Sequence, residues 1–289
     1  NYAISRVAPK TINSTLWGND SDRFHQVIAV AGENFLLKSE IEEMKAKWAE
    51  VKGTGTYEEW VKKYLTDKGY TLTDEYSWPY TSDPVVWDAL NSYRAADAEA
   101  IVNTYDGLLE YDIENVQQPA LATGYTVSDD GLTYTFKLRS ATWSDGTKVT
   151  AQDFVYAWKR LVAPETGSKN AKLLDMVAGY TAARAGDAEA LQVSAPDEET
   201  FVVALSGRCP YFIDSVCTAA ATMPVQGAAV AQENWSMSAS TLVTNGPYTV
   251  SSWEGDTLTL TQSADYHDKR RLGPENLTFR FTADAKTAN

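Results

Sequence analysis

Side chains that could carry chemistry are sparse in this sequence, and their spacing matches no catalytic constellation. His25 and His267 lie far apart, with no HExxH or HxH pattern, so no zinc-hydrolase site is encoded. No GxxxxGK[ST] loop occurs. Gly53-x-Gly55 lacks a third glycine and precedes a helix-capping pattern, where a phosphate-binding loop would follow a strand. No G-x-S-x-G elbow presents a serine nucleophile. The 39 Asp and Glu residues could be paired in many ways as a glycosidase acid and base. That mechanism is defined by the separation of its two carboxylates, which sequence does not supply. Cys209 and Cys217 are eight positions apart across PYFIDSV, a stretch that reads as helical. On a straight helix their Cα atoms stand about 12 Å apart, beyond the roughly 7 Å that a disulfide spans, so two free or buried thiols are expected, and a bridge requires the helix to be short or bent. Asn13, Asn19, Asn234 and Asn276 open sequons, a signal with meaning only on a eukaryotic secretory route. We therefore assign no catalytic residue, no metal ligand and no cofactor.

Composition narrows the classes further. Of 289 residues, 44% are apolar and 22% charged, as in an ordinary globular chain with a sizeable core, and unlike disordered, collagenous or coiled-coil sequences. The formal charge of −14 has the wrong sign for neutralising phosphates, which excludes nucleic acid as a partner and an anionic membrane surface as a platform. The 9 Trp and 16 Tyr against 8 Phe supply rings with an apolar body and a polar tip, suited to ligand surfaces as well as cores. No apolar run approaches the roughly 18 residues of a spanning helix. No signal peptide is visible, which leaves a cytosolic, a processed or a trimmed chain.

The elements that would position any site differ along the chain. Leu37, Ile41, Met44 and Trp48 recur at helical spacing, and Gly53-Thr54-Gly55 breaks that stripe. Thr56-x-x-Glu59 has the form of a capping box, opening a second helix with Trp60, Val61, Tyr64 and Leu65 on its apolar face and Gly69 as its stop. From Tyr76 the texture is mixed α and β. A helix carries Ala98, Ile101, Val102 and Tyr105; Asp129-Asp130-Gly131 turns the chain; Tyr134, Phe136 and Leu138 alternate as a half-buried strand. Thr150-x-x-Asp153 caps a helix whose inner face is Phe154, Ala157, Trp158 and Leu161. Residues 163–196 read as loop and short helix, and Phe201, Val203 and Leu205 as a strand. A hairpin turns at Glu254-Gly255-Asp256, and Leu277, Phe279 and Phe281 alternate in a last strand.

Five stretches then occur in a fixed order: SDPVVWDALNSYRAADAEAIVNTYDGLLEYD (82–112), PALATGYTVSDDGLTYTFKLRSATWSDGTKVTAQDFVYAWKRLVAP (119–164), PYFIDSVCTAAATMPV (210–225), TNGPYTV (244–250) and LTFRFTADAKTA (277–288). In this order they resemble the oligopeptide- and dipeptide-binding proteins of ATP-driven (ABC) importers, the peptide-type extracytoplasmic solute-binding proteins. The second stretch is the most diagnostic, with Trp143-Ser144-Asp145-Gly146 and Ala151-Gln152-Asp153-Phe154-Val155 intact. Its residues read first as scaffold: a turn, an N-cap and core rings. Asn245-Gly246-Pro247 likewise reads first as a turn.

The resemblance implies an α/β (mixed α+β) fold: a type II periplasmic-binding-protein-like lobe with an appended β-rich subdomain, the second lobe being absent. Residues 1–75 would be a helical N-terminal segment outside the resemblance, 76–105 plus 209–289 the first lobe, and 106–208 the subdomain. The implied partners are a peptide ligand and the permease subunits of an ABC transporter. Membrane contact would come only through a lipid anchor removed from this sequence, and the protein would be a monomeric lipoprotein at the outer face of the cell membrane or in the periplasm. In such proteins the loop after the first strand pairs with the peptide backbone, and it corresponds here to Ser92, Tyr93, Arg94 and Ala95. A ligand-touching aromatic of the family falls near Asn170, where this sequence has no ring. Phe281, on the strand that resembles the family's first crossover between lobes, would border the cleft. The same fold could instead take an oligosaccharide or a metal complex, and a carbohydrate hydrolase is the competing class. An adaptor role for the 1–75 hairpin through Trp48 or Trp60 competes with simple core packing. Because only one wall of the cleft is present, this chain is expected to bind peptide weakly by itself.

Overall fold

Backbone pairing in the computed structural model, which describes residues 29–31, 34–35, 38–51, 57–80, 87–91, 101–111, 117–268 and 273–281, gathers into two unequal cores. The smaller lies near the N-terminus. Strands β1 (Ala29–Val30) and β2 (Asn34–Phe35) pair antiparallel, followed by helices α1 (Lys38–Val51) and α2 (Tyr57–Asp67). Val30, Met44, Val61 and Leu65 are buried together, with Trp60, Tyr64, Tyr70 and Leu72 packed around them. Of the expected apolar faces, Met44 of α1 and Val61 and Leu65 of α2 are therefore turned inward. Trp60 lies 5.4 Å from Trp48 and stacks on Tyr64 at 4.9 Å, ring centre to ring centre, so these rings pack within the helix pair. Gly69 stops α2 as expected: at φ 89° its N–H reaches the Thr66 carbonyl at 2.9 Å, while the Tyr70 N–H reaches that of Leu65 at 3.0 Å. This left-handed closure strongly favours glycine. The break at residues 53–55 and the cap at Thr56 lie outside the described residues.

The larger core joins two four-stranded sheets. Strand β3 (Glu75–Tyr80) is followed by the short antiparallel pair β4 (Leu109–Tyr111) and β5 (Gln117–Pro119). Next come β6 (Ala122–Val127), β7 (Thr133–Leu138), helix α3 (Ala151–Val162), β8 (Val193–Asp197) and β9 (Thr200–Ala204). The chain then returns through β10 (Tyr248–Glu254), β11 (Thr257–Gln262) and β12 (Asn276–Phe281). One sheet has the order β6-β7-β9-β8, all antiparallel; the other is β10-β11-β12-β3, in which β12 and β3 run parallel. Trp87, Tyr105, Phe136, Trp143, Phe154, Trp158, Phe201, Phe212, Tyr248 and Phe279 all contribute to one continuous apolar cluster spanning both sheets.

Local sequence explains most of this. The Asp153 carboxylate accepts the Thr150 N–H at 2.8 Å and the Trp143 indole N–H at 3.4 Å, closing the expected cap; burial pushes this carboxyl above its usual range despite those bonds. Trp158 donates to the Thr222 carbonyl at 2.9 Å and meets Phe201 edge-on at 5.1 Å. The expected hairpin forms, with Gly255 at φ 57° in its turn. One expectation needs correction: the end of the 163–196 stretch is not loop but the strand β8. Its sequence VSAPD lacks alternation and contains Pro196, which a sheet tolerates on an edge strand, where β8 lies. Cys209 and Cys217 are buried and unpaired. The stretch between them closes as one wide π turn, Phe212–Val216, in place of α-helix, with the Cys217 N–H on the Phe212 carbonyl at 3.2 Å.

Candidate functional site

The segment expected to meet ligand, Ser92, Tyr93, Arg94 and Ala95, lies outside the described residues, whereas both of its flanks are described. Trp87, Asp88, Ala89 and Leu90 are at most 2% exposed, and every residue from Ile101 to Leu109 is buried. The flanks are tied to each other where the Trp87 indole donates to the Thr104 hydroxyl at 2.9 Å. The Trp87 N–H reaches the Ser236 carbonyl at 3.1 Å, and its ring meets Trp253 edge-on at 5.9 Å.

Trp253 belongs to a cross-sheet row with Leu258, Phe279 and Trp78, near the end at which β3, β10 and β12 all finish. Phe281, the expected cleft residue, stands at that same end: it is level with Tyr80 across the parallel ladder, and its N–H donates to the Asp256 carbonyl at 2.7 Å. Phe281 is half-buried against the main core. In sheets with parallel strands, the crevice beyond the carboxyl ends is where ligands usually sit.

Behind the Trp87–Asn91 flank lies a charged clamp. The Arg160 guanidinium, in the last turn of α3, grips Asp88 at both oxygens, at 2.7 Å and 3.1 Å. The Asp88 side chain is 3% exposed and that of Arg160 20%. The outer face of Arg160 lies against the Trp235 ring, 5.6 Å from its centre. Asn170 also comes to this flank: its side-chain amide donates to the Leu90 carbonyl at 3.4 Å, beside a 2.5 Å bond from the Ser168 hydroxyl. Sequence reasoning missed Asp88, Arg160 and Ser168. The one available signal was the Lys159-Arg160 pair in the last turn of the capped helix, which reads equally as a simple complement to the helix dipole.

A second polar cluster pins the far flank. Asp106 lies beneath His267, whose Nε2 is 2.6 Å from its carboxylate, and the Tyr266 hydroxyl donates to that carboxylate at 3.4 Å. His267, isolated in sequence, thus serves a packing contact. Asn245 and Asp106 exchange backbone-like bonds: the Asp106 N–H donates to Asn245 Oδ1 at 3.1 Å, and Asn245 Nδ2 donates to the Asp106 carbonyl at 3.2 Å. The Asp145-Gly146 turn is held by the Gln226 amide and the Thr147 hydroxyl, both on the Asp145 carboxylate, at 2.8 Å and 2.6 Å. The residues of these motifs are therefore engaged in contacts within the fold. Among the described residues no group of three or more His, Cys, Asp or Glu could hold a metal.

A mixed α/β body built on two four-stranded sheets resembles one lobe of the periplasmic peptide-binding protein fold. Solved structures agree: a substrate-binding domain of an oligopeptide ABC transporter from Bacillus anthracis superposes with a TM-score of 0.71 at 29% identity, covering 75% of this chain and 43% of that one. OppA of Listeria monocytogenes bound to peptide gives 0.70 at 26% identity, covering 74% and 44%. In sequence, the dipeptide-binding protein DppE of Bacillus subtilis is 31% identical over 212 residues, 71% of this chain and 39% of that protein. The periplasmic oligopeptide-binding protein OppA of Escherichia coli is 36% identical over 183 residues, 61% of this chain and 33% of that protein. The chain thus spans about two fifths of the length of the relatives it matches. Residues 116–289 match the description "Bacterial extracellular solute-binding proteins, family 5 Middle". The chain belongs to that family, which is one of solute-binding proteins and not of enzymes.

Proposed function

We propose that this protein is part of the substrate-binding component of an ABC importer, which captures peptides in a cleft between two lobes and delivers them to the permease. The observation that carries this reading is the pair of buried flanks, Trp87–Leu90 and Ile101–Leu109, tied together by the Trp87–Thr104 bond in a chain whose relatives are named for dipeptides and oligopeptides. In this reading Ser92, Tyr93, Arg94 and Ala95 pair with the ligand backbone, a strand-addition mode that gives affinity with little side-chain specificity. Phe281 borders the cleft, and Asn170 stands at its edge. Residues 76–105 with 209–289 form the first lobe, 106–208 the appended subdomain, and 1–75 a separate helical segment. Closure is favoured because ligand contacts both lobes in the closed state only. The protein works as a monomer outside the cytoplasm, held by a lipid anchor or free in a periplasm.

Native mass spectrometry of the full-length product carrying these residues tests the reading, and co-purified masses matching short peptides are expected. Reproducible oligosaccharide masses would defeat it. So would a steroid-like ligand, a class that one relative, a probable deoxycholate-binding protein of Escherichia coli at 31% identity, brings into play.

A further inference from the structure

We propose that the outer edge of strand β6 is a docking surface for another protein, which adds to it an extended segment with apolar side chains at alternate positions and basic residues at one end. The inference goes beyond the peptide-capture reading and uses none of its residues.

Strand β6 closes one side of the sheet β6-β7-β9-β8, and among the described residues no strand pairs with its outer edge. The ladder fixes which of its backbone groups point outward. The Leu138 N–H donates to the Glu199 carbonyl and the Leu205 N–H to that of Leu132, both at 2.8 Å, so the even-numbered residues of β7 bond to β9. Tyr134 and Phe136 are among these, and they stand opposite Val127 and Tyr125. The N–H and C=O groups of Tyr125 and Val127 are therefore aimed away from β7. The Ser128 N–H, on the Thr133 carbonyl at 2.9 Å, agrees with that phase. The same two residues are 40% and 42% exposed. The Tyr125 ring lies 5.6 Å from that of Phe136, which lies 6.2 Å from Phe201, so a row of core rings runs out to the open edge.

Edge strands are ordinarily guarded against pairing by charge, proline or a bulge. The opposite edge of this sheet is guarded: β8 contains Pro196, ends on Asp197 and breaks register between Ser194 and Asp197. Strand β6 has a single irregularity at its start, between Ala122 and Gly124, and pairs without a break from Gly124 to Val127. It contains no charged residue and no proline, and its Tyr, Thr and Val favour extended backbone. One edge is thus closed to strand addition and the other open to it. Charge selects the occupant. Asp129 and Asp130 follow β6 directly and are exposed, and Arg208, donating to the Asp130 carbonyl at 2.7 Å, offsets one of them. At a formal charge of −14, a second copy of this chain meets its own sign, whereas a basic segment is attracted. In antiparallel pairing the N-terminal end of the added segment lies beside Asp129, so its basic residues belong there.

The test titrates the full-length product with fluorescein-labelled, end-capped peptides RRVTVTV and EEVTVTV, with saturating tetra-alanine present to fill the proposed peptide cleft. Anisotropy gives the dissociation constants, and hydrogen exchange follows the Tyr125 and Val127 amides. We expect RRVTVTV to bind at least about tenfold more tightly than EEVTVTV and to slow exchange at both amides. Val127→Pro removes an outward N–H where an edge strand tolerates proline, and Tyr125→Lys supplies the missing guard. Each should keep the wild-type melting temperature and weaken RRVTVTV at least about tenfold. Equal binding of the two peptides, or folded variants that bind as wild type does, would overturn the inference. Amides already protected in the free protein would also overturn it, by placing a segment of the same chain on the edge. A dimer that Val127→Pro dissolves would do so by making the occupant a second copy. None of these outcomes bears on peptide capture, which stands or falls on the co-purified masses.

Discussion

Gly246→Ala isolates the contact that joins the two halves of the main core. A Cβ built on Gly246 would stand 2.4 Å from the Thr104 carbonyl carbon, 2.6 Å from its oxygen and 2.6 Å from the Tyr105 nitrogen. All three are backbone atoms and cannot turn aside as a side chain can. Ordinary contact begins near 3.4 Å, so the two segments must part by about 1 Å. The Gly246 N–H bond to the Thr104 carbonyl, now 2.8 Å, then leaves bonding range. The paired Asn245–Asp106 bonds at 3.1 Å and 3.2 Å are strained with it. Overpacking costs about 1–3 kcal/mol, and each buried polar group left unsatisfied about 1–3 kcal/mol more, so a loss of about 3–5 kcal/mol is expected. For a chain of this size that lowers the melting temperature by roughly 8–15 °C. Urea unfolding followed by tryptophan fluorescence reads the change directly. Gly124→Ala is the internal control, since nothing stands within 4 Å of its Cβ position and its φ is not positive; it should stay within about 0.5 kcal/mol of wild type. A Gly246→Ala protein equally close to wild type would refute the argument.

Two further outcomes are expected. Burial alone would push the Asp145 carboxyl up, but the hydrogen bonds from Thr147 and Gln226 outweigh it and hold the group below its usual range. A depressed carboxyl contributes stability above its unfolded pKa and loses it as the pH falls through the folded one. The stability difference between wild type and Asp145→Asn should therefore be full at neutral pH and shrink below about pH 4; an unchanged gap at pH 2.5 in chemical unfolding would contradict this. Cys209 and Cys217 are 6% and 2% exposed, and burial pushes the Cys217 thiol up, so neither should react with a maleimide until the protein unfolds. Intact-mass spectra should show two labels in denaturant and none in the native state, and rapid native labelling would count against the packing described.

Elements with local signals were legible and the contacts between them were not. The α3 cap, the Gly255 hairpin and the Tyr134–Leu138 strand follow from capping, turn and alternation rules acting over a few residues. Strand β8 escaped because an edge strand with one paired side needs no alternation, and Pro196 argued against it. Asn245-Gly246-Pro247 read as a turn, yet its role is to bind a backbone about 140 positions earlier, where only a residue without a side chain fits. Asp88 and Arg160 lie 72 positions apart, and nothing local marks them as partners. Asn170 read as a departure from a family pattern, and the fold brings it to the carbonyl of Leu90.

By itself the sequence determined the class of this protein. Five ordered stretches lead to a family of solute-binding proteins. It could do so because those stretches encode turns, caps and core rings, features that a chain must carry locally to fold at all. Only the tertiary structure decided what holds the two described flanks of the candidate ligand segment: the Trp87–Thr104 tie, the Arg160–Asp88 fork and the Asp106–His267 contact. Each joins residues far apart in the chain, and their proximity is set by how two sheets and a helix close on one shared core.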